Sequence, residues 1–266
     1  MKNVVIYKWY VHQKYNGSVY YAFEYFAYLS QNDPDLEFLL VNINDQDLND
    51  LKRSFSNKYK NIEHLFKKFK STTTTSLYNI RINKALILDL RTYHEVYCFL
   101  QCPMHVYSNE SHSYMMPKKQ QVIFYGEYDY QDFDIKCKLK LNFDIMKDIQ
   151  SSGTKTFISS RVPEQLNIKE YTKKYNLKNV ILKHLDKSIS IFEECCTILY
   201  VHQMLDTNNR IIPEAFYYDT KLIIENETDI IDSTIIRYND IKRNGLKDYT
   251  IDESDKMIVA MTARST

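Results

Sequence analysis

Apolar residues along the chain follow two patterns: short unbroken runs, and longer stretches in which they recur at helical spacing. Asn3–Tyr7 is a short apolar run and predicts a buried strand, followed by a polar loop through His12 and Gly17. Ser18 stands where it would cap a helix over Val19–Ser30, whose Tyr, Phe and Leu positions recur at helical spacing. Leu36–Val41 predicts a second strand. Asp47–Lys70 carries Leu48, Leu51, Phe55, Ile62, Leu65, Phe66 and Phe69 among lysines and predicts one long helix. Ser71–Ser76 reads as a loop and Ala85–Leu90 as a third strand. A helix is expected around Tyr93–Leu100, with further strands at Met104–Ser108 and Val122–Tyr125.

The second half repeats the alternation more clearly. Strands are expected at Thr156–Ser159, Asn179–Leu182, Thr197–Val201 and Lys221–Glu225, with helices at Ile168–Tyr175, Lys187–Cys195 and Pro213–Tyr218. From Ser233 the tail is mixed and charged, with a helix expected over Asp252–Ala263. Strands alternating with helices imply βαβ units, hence parallel sheets covered on both faces. The expected class is therefore α/β: two Rossmann-like domains facing across a cleft. They would occupy residues 1–148 and 149–232, with 233–266 as a tail packing back on the first. The linker is expected near Asp144–Lys155, where polar residues and Gly153 cluster. Open sheets of this kind bind ligands at the carboxyl ends of their strands.

Composition narrows the classes. With 266 residues and 44% hydrophobic content the chain can build one large core or two ordinary ones. A formal net charge of +1 exerts no global pull toward nucleic acid or membrane. Tyr (23) far outnumbers Gly (4) and Pro (5), a bias expected of an AT-rich genome such as that of a virus or phage. Met1–Lys2 leads straight into an apolar strand, no apolar run reaches membrane-spanning length, and five irregularly spaced cysteines read as reduced thiols. These features predict a cytoplasmic protein, in the host-cell cytoplasm if viral, with no membrane insertion.

The most informative stretch is Thr197–Asn226, which runs as strand, polar loop, short helix opening at Pro213–Glu214, and strand. Asp206, Asn208, Asn209, Arg210 and Glu214 converge where the helix begins. Free N–H groups at such a helix mouth favour a phosphate, and a carboxylate there can bind sugar hydroxyls. The same residues admit a plainer reading. Arg210 and Glu214 could form an i,i+4 pair, with Glu214 complementing the helix dipole.

The run R-I-I-P-E-A at Arg210–Ala215, with seven residues between Asp206 and Glu214, resembles the donor-binding signature of GT-B glycosyltransferases. The resemblance covers roughly Thr156–Asn226 and is topological over the first half. The family often has Glu at the position of Asp206 and Gly at that of Asp219. It implies a nucleotide-sugar donor in the 149–232 domain, a UDP-sugar first among candidates, and an acceptor on the 1–148 side. By resemblance, Glu214 would bind the ribose hydroxyls, Arg210 the diphosphate or nucleotide, and Asp206 would approach the transferred sugar. Ser159, Ser160 and Arg161, after the first strand of that domain, would add a phosphate contact. No metal or other cofactor is obligatory in this scheme, because positive side chains and helix ends stabilise the departing diphosphate.

An inverting sugar transfer needs a carboxylate or His to take the acceptor's proton. Asp89, ending the strand-like L-I-L-D-L-R, and His12 in the first loop are the candidate bases. Asp89–Leu90–Arg91 faintly resembles the strand-end acid of phage DNA glucosyltransferases; Asp89 could equally cap a helix, and His12 could be a surface group. Glu110 and His112 follow another strand and stay in the candidate set. Cys98, Cys102, His105 and His112 lack the paired spacing of a structural zinc, so no metal is expected. Tyr125, Tyr128, Tyr130 and Phe133 could stack on a sugar or base, or form core. Lys52, Arg53, Lys58, Lys60, Lys67, Lys68 and Lys70 form either a phosphate-binding helix for a DNA acceptor or a solvated face. A non-catalytic nucleotide- or sugar-binding protein on the same frame is the alternative. A dehydrogenase is disfavoured by the missing G-x-G-x-x-G after the first strand.

Overall fold

The structure, a computed structural model, describes residues 2–8, 17–72, 93–99, 121–125, 129–130, 135–136, 140–149, 153–160, 163–182, 188–203, 209–227 and 233–252. The chain divides into two units, Met1–Ile145 with Ile251–Thr266, and Met146–Thr250. The expected strands at Ala85–Leu90 and Met104–Ser108 lie outside the described residues, as does the expected terminal helix beyond Asp252.

Unit 1 contains β1 (Lys2–Lys8), α1 (Gly17–Leu29), β2 (Glu37–Val41), α2 (Asp45–Lys58), β3 (Phe69–Thr72), β4 (Tyr93–Phe99) and β5 (Gln121–Tyr125). The five strands pair in parallel in the order β3–β2–β1–β4–β5. β6 (Asp129–Tyr130) and β7 (Ile135–Lys136) form a small antiparallel pair. Helix α1 is buried at nearly every position from Val19 to Ala27, as expected for a helix apolar all round. It begins at Gly17, so Ser18 lies inside it rather than capping it.

The single helix expected over Asp47–Lys70 is three elements. Asn44 caps α2, its Oδ1 accepting the Asp47 N–H at 2.8 Å, and Asp45 and Asp47 suit the dipole of the first turn. Tyr59 turns extended and ends the helix, its N–H donating to the Phe55 carbonyl at 2.8 Å. A 3₁₀ turn over Glu63–Lys68 then delivers Phe69 to β3. Packing explains the change: Phe69 meets Phe38 at 5.0 Å and Phe66 at 5.3 Å between ring centroids, inside a cluster where Phe23 stacks on Phe55 at 4.1 Å. Ser71 and Thr72, expected in a loop, pair with Leu40 and Val41.

Tyr93–Phe99 is a strand, not the expected helix, and sits between β1 and β5. A short run of aromatic and β-branched residues suits either period, and parallel pairing on both sides decides it.

Inside unit 1, the buried Glu24 of α1 holds two distant segments. Tyr59 Oη donates to its Oε1 at 2.5 Å, and the Asn142 N–H to its Oε2 at 3.3 Å. The Ile251 N–H donates to the Leu141 carbonyl at 3.0 Å, and Asp252 pairs with Lys140 at 3.1 Å.

Unit 2 contains β8 (Lys155–Ser160), α3 (Ile168–Lys174), β9 (Val180–Ile181), α4 (Ser188–Glu194), β10 (Cys195–His202), α5 (Ile211–Tyr217), β11 (Lys221–Asn226) and α6 (Ser233–Asn244). Its four strands are parallel in the order β11–β10–β8–β9. Both sheets are parallel and interleaved with helices, so the class is α/β, compatible with a Rossmann-like frame. Helix α6 stands where a mixed, charged tail was expected and belongs to unit 2. No described helix is long and apolar enough to cross a membrane.

Candidate functional site

In unit 2 the chain passes from β8 outward to β9, then returns past β8 to β10 and β11. The connections after β8 and β10 therefore leave toward opposite edges of the sheet, and the carboxyl ends of these two strands form its topological switch point. Ser159 and Ser160 end β8 opposite Tyr200 and Val201 of β10. His202 and Gln203 follow.

Side chains alternate across a strand, so neighbouring residues face opposite ways. Ile158, Leu199 and Val201 pack beneath Tyr171, Leu166 and Ile168 on the α3 face. Ser160 shares that face, and its Oγ donates to Gln203 Oε1. Ser159 therefore points to the other face, with Tyr200 and His202. Its hydroxyl is buried, 3% of the residue being exposed, and has no partner among the described residues. The two serines thus lie on opposite faces of the sheet. Arg161 and Asp206 lie outside the described residues, as do Asn208, His12, Asp89, Glu110, Cys102, His105, His112, Tyr128 and Phe133.

Helix α5 starts at Ile211, two residues earlier than Pro213. Asn209 makes this start: its Oδ1 accepts the Ile211 N–H at 3.0 Å. Pro213 carries no N–H, and its place in the first turn costs no helical hydrogen bond. The Glu214 N–H donates to the Arg210 carbonyl at 3.1 Å. With the Ile211 N–H taken by Asn209 and no N–H on Pro213, this helix mouth offers fewer free amides than usual.

Arg210 and Glu214 lie one turn apart and close on each other. Nε and Nη2 of Arg210 reach Oε1 of Glu214 at 2.9 and 2.8 Å, and the residues are 8% and 2% exposed. The i,i+4 pair weighed from the sequence is thus formed, and it is buried. Behind it, Arg237 of α6, 1% exposed, donates Nη1 to the Asn209 carbonyl at 3.0 Å. The helix ends in a left-handed residue: Asp219 has φ 52°, the Thr220 N–H reaches the Ala215 carbonyl at 2.8 Å, and the Asp219 N–H reaches that of Phe216 at 3.3 Å. Asp219, where the resembled family often has glycine, thus takes the left-handed conformation that glycine favours.

His202 was missed by sequence reasoning. It is wholly buried at the carboxyl end of β10, on the face of Ser159, and its ring lies 6.1 Å from that of Tyr200. The signal was its place as the last residue of the apolar run T-I-L-Y-V-H.

The α3 face carries a separate polar cluster. Lys174 Nζ meets Glu225 Oε2 at 2.6 Å, Tyr175 Oη donates to the same oxygen, and Tyr171 Oη donates to Glu227. Burial pushes the Glu225 carboxyl up, but the hydrogen bonds from Lys174 and Tyr175 and the Lys174 charge outweigh it and hold its pKa below the usual carboxylate value. Lys174 is raised, chiefly by its hydrogen bond to Glu225, and Tyr175 is raised by burial and then by Glu225.

The basic stretch is not one helix. It is divided among α2, the 3₁₀ turn and β3; Lys58 is buried with Nζ 5.1 Å from the Tyr20 ring centre, and Arg53 pairs with Asp50 at 3.6 Å. Among the described residues no cluster of His, Cys, Asp and Glu is arranged to hold a metal. No protein-family model, no curated protein and no solved structure matches this chain.

Proposed function

We propose that the protein is a glycosyltransferase of GT-B type that transfers a sugar from a nucleotide-sugar donor to an acceptor hydroxyl. One observation carries the reading. The Arg210–Glu214 helix follows β10, whose carboxyl end lies beside the Ser159–Ser160 end of β8 at the switch point of a parallel sheet. Ligands of open parallel sheets bind at such points. The proposal assigns the donor, with a UDP-sugar first among candidates, to unit 2 and the acceptor to unit 1. A GT-B arrangement of the two units is part of it.

In the proposed reaction the acceptor oxygen displaces the nucleoside diphosphate from the sugar's anomeric carbon. For an inverting transfer a side-chain base, Asp89 or His12, takes the acceptor's proton. Ser159 contributes a buried hydroxyl that a donor oxygen can use, and Arg161 and Asp206 retain their proposed donor contacts. A modified base in viral DNA and a glycan are the acceptor classes carried forward.

The buried Arg210–Glu214 pair favours a second reading, a nucleotide- or sugar-binding protein without turnover, because side chains that satisfy one another are less available to a reacting centre. Calorimetry with a panel of nucleotide-sugars, paired with an assay for released nucleoside diphosphate, separates the readings. Binding with release supports the transferase, and binding without release supports the second reading. Neither binding nor release with any donor sinks both.

A further inference from the structure

Arg237 is among the largest fully buried side chains of the described residues, at 1% exposure, yet a guanidinium is costly to take out of water and a Met would fill much of the same space. Its fork reaches out of α6 toward the corner that opens α5. Nη1 donates to the Asn209 carbonyl at 3.0 Å, and the guanidinium carbon lies 5.9 Å from the centre of the Tyr249 ring. Tyr249 is in turn anchored on α6, its Oη donating to Asp240 at 2.9 Å. Asn209 is therefore gripped twice. Its backbone carbonyl is held by Arg237, and its side chain holds the first amide of α5 at 3.0 Å. Arg210, the next residue, then lies one turn before Glu214 with the geometry that closes their ion pair.

We infer that Arg237 is a positioning residue: it ties α6 to the Asn209 corner and so sets where Arg210 and Glu214 stand. The functional half of this inference rests on the donor-site reading; the structural half does not. Arg237 acts through Asn209, whose carbonyl it holds. A planar fork suits this role better than an ammonium, because it can reach a carbonyl edge-on while its face lies against an aromatic ring.

Hydrogen exchange on the full chain tests it, comparing wild type with Arg237→Met, Arg237→Lys and Ile241→Ala. Ile241 is a buried apolar residue of the same helix, so its truncation reports loss of packing alone. The expected result is exchange at least tenfold faster at the hydrogen-bonded amides of Ile211 and Glu214 in Arg237→Met, with β8 and α3 unchanged. Arg237→Lys should fall between Met and wild type, and Ile241→Ala should not single out those amides. Unchanged exchange at the Ile211 and Glu214 amides in Arg237→Met overturns the inference. So does the same local pattern in Ile241→Ala at matched loss of stability. In parallel, titration with UDP should show half-saturation at least tenfold weaker in Arg237→Met and partly restored in Arg237→Lys. If wild type binds UDP and Arg237→Met binds it equally well, the positioning role is overturned. If wild type binds neither UDP nor any nucleotide-sugar, the donor reading fails, and the exchange result still decides the tie to Asn209.

Discussion

Arg210 spends both Nε and Nη2 on a single oxygen of Glu214, at 2.9 and 2.8 Å, with both residues nearly sealed from water. A charge left alone in such a place has no solvent to turn to. Arg210→Met and Glu214→Gln are each expected to lower the stability of unit 2 by about 3–5 kcal/mol, whereas the double replacement should lose much less than the sum. Thermal or urea unfolding of the four proteins measures the coupling. Strict additivity would mean that the two side chains do not depend on each other. Glu214→Ala leaves Arg210 just as unpaired and should lower stability in the same way.

Asp219 holds φ at 52°, a left-handed conformation in which a β-carbon is disfavoured, while the backbone around it makes the paired hydrogen bonds of a Schellman ending. Asp219→Gly is expected to raise stability by about 0.5–1 kcal/mol, seen as a higher Tm. Asn176 ends α3 in the same way with φ 50°, and since asparagine tolerates this region better, Asn176→Gly should gain less. A fall in Tm for Asp219→Gly would mean that the carboxylate makes a contact worth more than the strain.

Gly153 lies against the junction of α4 and β10. A β-carbon built on it would stand 2.0 Å from both the carbonyl carbon and oxygen of Glu194 and 2.5 Å from the Cys195 nitrogen. These are backbone atoms on both sides, so no side chain can swing away. Gly153→Ala is expected to cost about 2–3 kcal/mol or more through overpacking. Gly245→Ala is the contrasting case: nothing lies within 4 Å of the added carbon, and only its φ of 77° resists, so about 1 kcal/mol is expected. Equal effects at the two positions would refute the steric account of Gly153.

The Glu225 cluster predicts stability that narrows at both ends of the pH scale. The folded-state pKa of Glu225 is depressed, so its contribution is complete above the ordinary carboxylate value and is lost as pH falls through the lower folded value. Lys174 and Tyr175 are raised in the folded state, so theirs is complete below the ordinary values and is lost as pH climbs through the higher folded ones. In Tm measured against pH, Glu225→Gln should flatten the acid limb and also weaken the alkaline one, because the carboxylate is what raises Lys174. An acid limb identical to wild type would remove Glu225 from the balance.

How far each element was legible depends on how local its cause is. From Lys155 to Asn226 each described strand and α-helix announced itself, because each apolar run is bounded by polar turns and each helix carries its own spacing. Helix α6 did not, because its buried stripe of Thr234, Arg237 and Ile241 keeps helical spacing but is mostly polar. β3 and β4 were missed for another reason. Phe69 enters a strand because an aromatic cluster from three other elements receives it, and Tyr93–Phe99 is extended because β1 and β5 flank it.

The sequence by itself determined the α/β class and the strand–loop–helix–strand run around Arg210 and Glu214, since spacing and end signals act over a few residues. Only the tertiary structure decided that Ser159 and Ser160 face opposite sides of the sheet, that His202 is buried at the switch point, and that Arg237 reaches Asn209 from a helix 28 residues further on. Those facts depend on which strands lie side by side and which helix covers them. They are relations between segments distant in the chain, stabilised by burial and hydrogen bonds that exist only after folding.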